Sequence, residues 1–314
     1  MLVWSKRFKL DALLSFAAFV NLLKNTMITR RHFSALLGAS VAASAASSFA
    51  QVGRPKLALV LGAGSARGFA HIGIIKALDA AGIKPDLIVG ASAGSVIGVF
   101  YAAGYTGAQM EDVAMKVRDA DVIDAAANTK RGLVGGEALQ KLINNFVKDK
   151  PLEALKTPFI AMATNLKTGD PVQLRIGDSG QAVRASSSMP GVFLPTMIGG
   201  MELVDGAISS PLPVSVARQM GAETVVAIDV GAAPQNAHAT GIYEIVMQSF
   251  EIMGQSISRL EGQKADVLIK PAVGQFSSSD FSNRAQLIAA GYTAGQRAIE
   301  QIRLAQNGNY KKRK

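Results

Sequence analysis

Two hydrophobic rhythms alternate along most of the chain. Short, continuous apolar runs end at glycine or a small polar residue, and each is followed by a stretch whose apolar positions recur every three or four residues. "KLALVLGAG" (Lys56 to Gly64) reads as a strand buried on both faces and ending in a glycine turn. "FAHIGIIKALDAAG" follows, with Phe69, Ile72, Ile75, Ala77 and Leu78 at helical spacing and Gly82 as the stop. "KPDLIVGAS" and "AGSVIGVFYAAG" repeat the pair. Strand, turn and helix in this order predict an α/β fold, a three-layer α/β/α domain with a mainly parallel central sheet.

Further along, the pattern predicts a mostly helical stretch from Thr106 to Lys150, with "GGEALQKLINNFV" its clearest amphipathic piece. "TPFIAMATNL" and "DPVQLRI" read as strands joined by the turn "KTGD", and "GMELVDGAI", "ETVVAIDV" and "DVLIKP" as three more. "RAQLIAAGYTAGQRAIEQIRLAQ" predicts a closing helix interrupted at Gly291. In "GIYEIVMQSFEIMGQSISRL", Ile242, Ile245, Val246, Phe250, Met253, Ile257 and Leu260 share one helical side. Core packing is the expected role of that side, with acyl-chain or membrane contact as the alternative. No repeat or Pro/Ser-rich linker divides the region, so one domain spans residues 56–304.

The ends of the chain differ from this middle. Residues 1–50 carry six basic residues against Asp11, and the tail, 305–314, carries four, leaving 23 basic and 22 acidic residues between them. The net charge of +10 is therefore terminal and does not argue for nucleic-acid binding; a basic tail is usually just solvated, with anionic lipid as its other partner. "TRRHFSALLGASVAASAASSFA" has paired arginines, an alanine-rich apolar run and small residues before Gln51, the layout of an export signal of twin-arginine type. Periplasmic or membrane-associated localisation is the expectation, and cytoplasmic if the segment is not a working signal. The chain has no cysteine, which excludes disulfides, thiolate zinc sites and catalytic thiols. Its three histidines, His32, His71 and His238, are scattered, so neither a metal site nor any cofactor is expected.

Three short segments carry candidate chemistry. In Gly90-Ala91-Ser92-Ala93-Gly94 a serine follows a strand and opens a helix, where a hydroxyl is exposed above a sheet and the helix amides favour negative charge. The segment is either a nucleophile elbow or a tight turn filled by a serine. "GAGSARG", Gly62 to Gly68, is not a dinucleotide loop: its third glycine is displaced by one position, and no acidic residue ends the next strand. It makes better sense as an oxyanion hole of successive backbone amides. Asp205, in "LVDGAISSPLP", is either a carboxylate reaching into a site or part of an Asp-Gly turn.

Together these segments resemble the patatin-like phospholipase family, and "ATNLKTGD", "RASSSMPGVFLP" and "AIDV" match bacterial members in order and spacing. The resemblance implies Ser92 as nucleophile, Asp205 as its base, Gly90 and Gly94 as the flanking glycines of the elbow, and Gly62, Ala63, Gly64, Ser65, Ala66, Arg67 and Gly68 as the oxyanion loop, with Arg67 at the family's basic position. It implies hydrolysis of phospholipid or lysophospholipid esters through an acyl-enzyme, with a lipid or acyl-ester substrate; peripheral membrane contact is the alternative raised by the basic tail and the apolar 242–260 side, and no specific protein partner is inferred. Two alternatives stay open: a Ser–His–Asp esterase using His238, since Ser92, Asp205 and His238 follow the chain order of an α/β-hydrolase triad, and a non-catalytic lipid-binding protein. His71 is expected to be a partly buried packing residue. The serines of "RASSSMPG" and Asp229 are read as structural.

Overall fold

Strand β1 (Leu57–Leu61) is wholly buried because its alternate side chains feed two separate cores. Leu57, Leu59 and Leu61 pack among the helices of one face, and Ala58 and Val60 among those of the other. The computed structural model describes residues 55–126, 130–231 and 241–308, all within one compact unit. The expected export signal, His238 and most of the basic tail lie outside these residues.

Parallel to β1 run β2 (Leu87–Ala91), β3 (Phe159–Asn165), β7 (Thr224–Ile228) and β8 (Val267–Ile269). Three strands joined by antiparallel pairing complete the sheet: β4 (Pro171–Leu174) on β3, β6 (Met201–Asp205) also on β3, and β5 (Thr196–Ile198) on β6, with the order β5-β6-β3-β2-β1-β7-β8. Helices α1 (Phe69–Ala80), α2 (Ala93–Ala103) and α8 (Arg284–Gln306) belong to one face, while the short α6 (Val214–Gln219) covers the other. The remaining helices are α3 (Gly107–Lys116), α4 (Glu137–Val147), α5 (Ser179–Ser186) and α7 (Ile242–Gly262). The predicted three-layer, mainly parallel architecture is the one observed. Because β2 and β7 flank β1 on opposite sides, the loop after β1 sits where the winding reverses, the usual place for a ligand in such sheets.

Two expectations need correction. The closing helix runs through Gly291 without a break: a side chain there would meet the Ala70 carbonyl at 2.0 Å, so the glycine lets α8 lie directly on α1. Among the described residues of 106–150, α-helix is confined to the two ends, with one short 3-10 turn at Asp119–Asp121 between them. Between α3 and α4 the backbone joins another loop instead, the amides of Leu133 and Val134 both donating to the Val192 carbonyl at 2.8 Å. β5 was not foreseen either, since three residues carry no period.

Candidate active site

Strand β3 brings the two halves of the site together. β4 pairs with Ala161 to Thr164, so β2 and β6 must share the opposite edge of β3. β2 ends with Ala91 opposite Met162, and β6, arriving from the other direction, ends with Asp205 opposite Ala163. The two strands thus meet head-on, one register step apart. Ser92, the residue after β2, donates its hydroxyl to Asp205 Oδ2 at 2.7 Å.

Ser92 adopts φ 52° and ψ −124°, a conformation that L residues rarely take, and it is held from several directions. Its amide donates to Ser186 Oγ at 3.0 Å, and its carbonyl accepts from Ser95 Oγ at 2.7 Å. The neighbouring glycines are needed for space rather than for φ. A Cβ on Gly94 would lie 2.1 Å from the Leu61 carbonyl oxygen, and one on Gly90 2.5 Å from the Gly94 carbonyl oxygen. Gly94→Ala is therefore expected to push β1 and α2 apart and cost about 3 kcal/mol or more, read as a lowered unfolding midpoint in denaturant. An unchanged midpoint would refute this account of the elbow.

Asp205 is almost completely buried, at 1% exposure. Its Oδ1 accepts from the Ala207 amide at 2.8 Å and its Oδ2 from Ser92, yet burial outweighs both bonds and pushes its pKa up to about 7. A carboxylate with this affinity for a proton is a far better base than an exposed one. The backbone around it is clamped by two of the serines read from the sequence as structural and by Thr164, which carries no reading of its own. The Asp205 amide donates to the Ser188 carbonyl, the Gly206 amide to the Ser186 carbonyl, and the Thr164 hydroxyl to the Asp205 carbonyl. Ser186 thus touches both halves of the site. Its only sequence signal was three adjacent serines before Met189-Pro190, which shows polarity but no partner.

The loop after β1 lies against the elbow, since a Cβ on Gly68 would strike that of Ala93 at 2.5 Å. The backbone amides of Gly62 to Arg67 differ in their partners. The amides of Gly62, Ala63, Ala66 and Arg67 donate to the carbonyls of Ile228, Pro211, Ser278 and Gly64. Among the described residues no group takes the amides of Gly64 and Ser65. The Arg67 side chain is buried and paired with Glu251 of α7 at 2.9 Å. Glu251 also accepts from the Ser278 hydroxyl.

Outside the site, Asp229 pairs with Lys270 at 3.1 Å and accepts from the Gly231 amide, as a structural residue would. The expected core packing of α7 does not hold: Ile242, Ile245, Val246, Met253 and Leu260 are exposed, Ile242 to 85%, and only Phe250 and Ile257 are half-buried. His71, expected to be partly buried, is fully enclosed. Among the described residues there is no cluster of His, Cys, Asp or Glu fit to hold a metal, and no helix long and apolar enough to cross a membrane.

A mainly parallel α/β sheet thus carries a serine elbow, a buried carboxylate on its hydroxyl and, among the described residues, nearby loop amides without a partner. The patatin-like phospholipase family model matches residues 59–218, which include Ser92, Asp205 and the loop after β1, and the chain belongs to that family. It is 35% identical over 183 residues to human patatin-like phospholipase domain-containing protein 6, covering 56% of this chain and 13% of that protein. It is 28% identical over 294 residues to lysophospholipase NTE1 of Coccidioides immitis, covering 78% of this chain and 18% of that one. The match therefore spans less than a fifth of either relative. Among solved structures, VipD from Legionella pneumophila aligns with 78% of this chain and 66% of its own, at 13% identity and a TM-score of 0.43.

Proposed function

We propose that the protein is a serine acyl hydrolase that cleaves carboxylic esters of phospholipids or lysophospholipids through Ser92 and Asp205. The direct 2.7 Å contact between the Ser92 hydroxyl and a buried carboxylate of raised proton affinity carries the reading. Asp205 takes the hydroxyl proton as Ser92 Oγ bonds to the ester carbonyl carbon, and the Gly64 and Ser65 amides receive the developing oxyanion. Collapse of the tetrahedral intermediate breaks the ester C–O bond, and the proton on Asp205 passes to the departing alcohol. A water then attacks the acyl-enzyme, giving up a proton to Asp205, and Ser92 recovers its proton as the fatty acid leaves. A Ser–His–Asp triad needs an imidazole between serine and carboxylate, and here those two touch without one.

The substrate class rests on family membership and on the lysophospholipase and phospholipase names of the relatives. Hydrolysis of a panel of diacyl phospholipids, lysophospholipids and simple acyl esters by wild type and Ser92→Ala tests it. Ser92-dependent release of fatty acid from a phospholipid or lysophospholipid is the expected result; Ser92-dependent turnover of simple esters alone would restrict the protein to a general esterase.

The exposed apolar side of α7 supports lipid contact close to the site, because Glu251 on the same helix holds Arg67 of the oxyanion loop. Replacing Ile242 and Ile245 with Asp is expected to weaken sedimentation with phosphatidylcholine vesicles at least fivefold while leaving turnover of a water-soluble ester unchanged. Equal vesicle binding by the double variant would remove α7 from the contact.

A further inference from the structure

His71 is a costly residue for a core position. Its ring is fully enclosed, its Nδ1 finds no hydrogen-bond partner among the described residues, and a leucine would fill similar space without stranding a polar atom. The other nitrogen shows what offsets that cost. Nε2 lies 2.8 Å from the Gly62 carbonyl oxygen, and since a carbonyl can only accept, Nε2 bears the hydrogen and donates. Burial lowers the ring's pKa to about 4, so the imidazole is neutral across the ordinary pH range.

The bond acts on one particular peptide plane. The carbonyl of the Gly62–Ala63 peptide is held by His71, and its N–H, on Ala63, donates to the Pro211 carbonyl at 2.8 Å. Clamped at both ends, this peptide sets the direction in which the chain leaves β1, and the Gly64 and Ser65 amides, without a partner among the described residues, follow immediately. A peptide beginning at a glycine rotates readily when one clamp is lost. The held Gly62 oxygen also lies near the start of α2, 2.8 Å from where a Cβ on Gly94 would stand, so the peptide that His71 clamps is packed against the elbow.

We propose that His71 is a positioning residue of the oxyanion loop: through the Gly62 carbonyl it fixes the direction in which the Gly64 and Ser65 amides face the reacting carbonyl. The proposal rests on the hydrolase reading for its catalytic consequence, and on geometry alone for its structural one. His71→Leu removes the donor, whereas His71→Gln carries an amide nitrogen able to reach the same oxygen. On a water-soluble acyl ester, His71→Leu is expected to lose about 10²-fold in kcat with KM changed less than threefold, the size of effect known for loss of an oxyanion donor. His71→Gln is expected to recover at least tenfold of that loss. In parallel, amide NMR of isotope-labelled protein is expected to show the Gly64 and Ser65 resonances shifted in His71→Leu and near their wild-type positions in His71→Gln. Activity losses that follow the melting temperature equally in both variants, or Gly64 and Ser65 resonances unmoved in His71→Leu, would overturn it. If wild type shows no Ser92-dependent hydrolysis, the functional reading fails and the NMR result still decides the role of His71.

Discussion

Ser92→Ala is expected to abolish labelling by a fluorophosphonate probe and to lower ester hydrolysis by about 10⁴-fold or more, the scale seen when a nucleophile that works with a base is removed. The variant should stay folded. Alanine occupies less space, and the two bonds that hold the residue at φ 52°, from its amide to Ser186 Oγ and from Ser95 Oγ to its carbonyl, involve only its backbone. A circular-dichroism spectrum and melting curve close to wild type, beside absent labelling, would isolate the lost hydroxyl as the cause. Labelling that survives in Ser92→Ala would transfer the nucleophile elsewhere, and absence of labelling in wild type would favour a lipid-binding protein that keeps the fold without the chemistry.

Asp205→Asn is expected to remove activity and to make the protein more stable at alkaline pH. The two effects share one cause, the burial of a carboxylate with few compensating bonds. In the unfolded chain an aspartate titrates near 3.8, whereas folding raises Asp205 to about 7. Between those values the folded state binds the proton that the unfolded state has released, so stability falls as pH rises through this window. Below it both states are protonated and the residue costs nothing; above it the full penalty applies, about 4 kcal/mol from the difference between the two values. Asparagine keeps an oxygen for the Ala207 amide and carries no charge. The stability of Asp205→Asn relative to wild type should therefore rise by about 4 kcal/mol between pH 4 and pH 8, measured by urea unfolding at both. Parallel unfolding curves at the two pH values would contradict the raised proton affinity. For wild-type turnover the same titration predicts an acid limb with its midpoint near pH 7, because only the ionised carboxylate accepts the serine proton.

The parallel strands and the turns after β1 and β2 were legible because their physics is local. A strand buried on both faces must be apolar at every position, and a strand-to-helix turn under close packing must have small residues such as Gly62, Gly68, Gly90 and Gly94. Such signals extend over only a few residues and need no partner to be read. They supplied the candidates Ser92 and Asp205, and the family resemblance supplied their pairing.

What only the tertiary structure decided is how those candidates meet and what surrounds them. Ser92 and Asp205 are 113 residues apart, and their contact depends on β2 and β6 ending one step apart on the same edge of β3, a register set by strand pairing rather than by any local pattern. The roles of Ser186, Thr164 and His71 were invisible for the same reason: a hydrogen bond to a distant backbone group requires only one polar atom in the right place, and a single polar residue has no period. Conversely, the apolar spacing of α7 was plain in the sequence, yet spacing says that a helix has an apolar side and not which surface that side meets; the fold left it exposed.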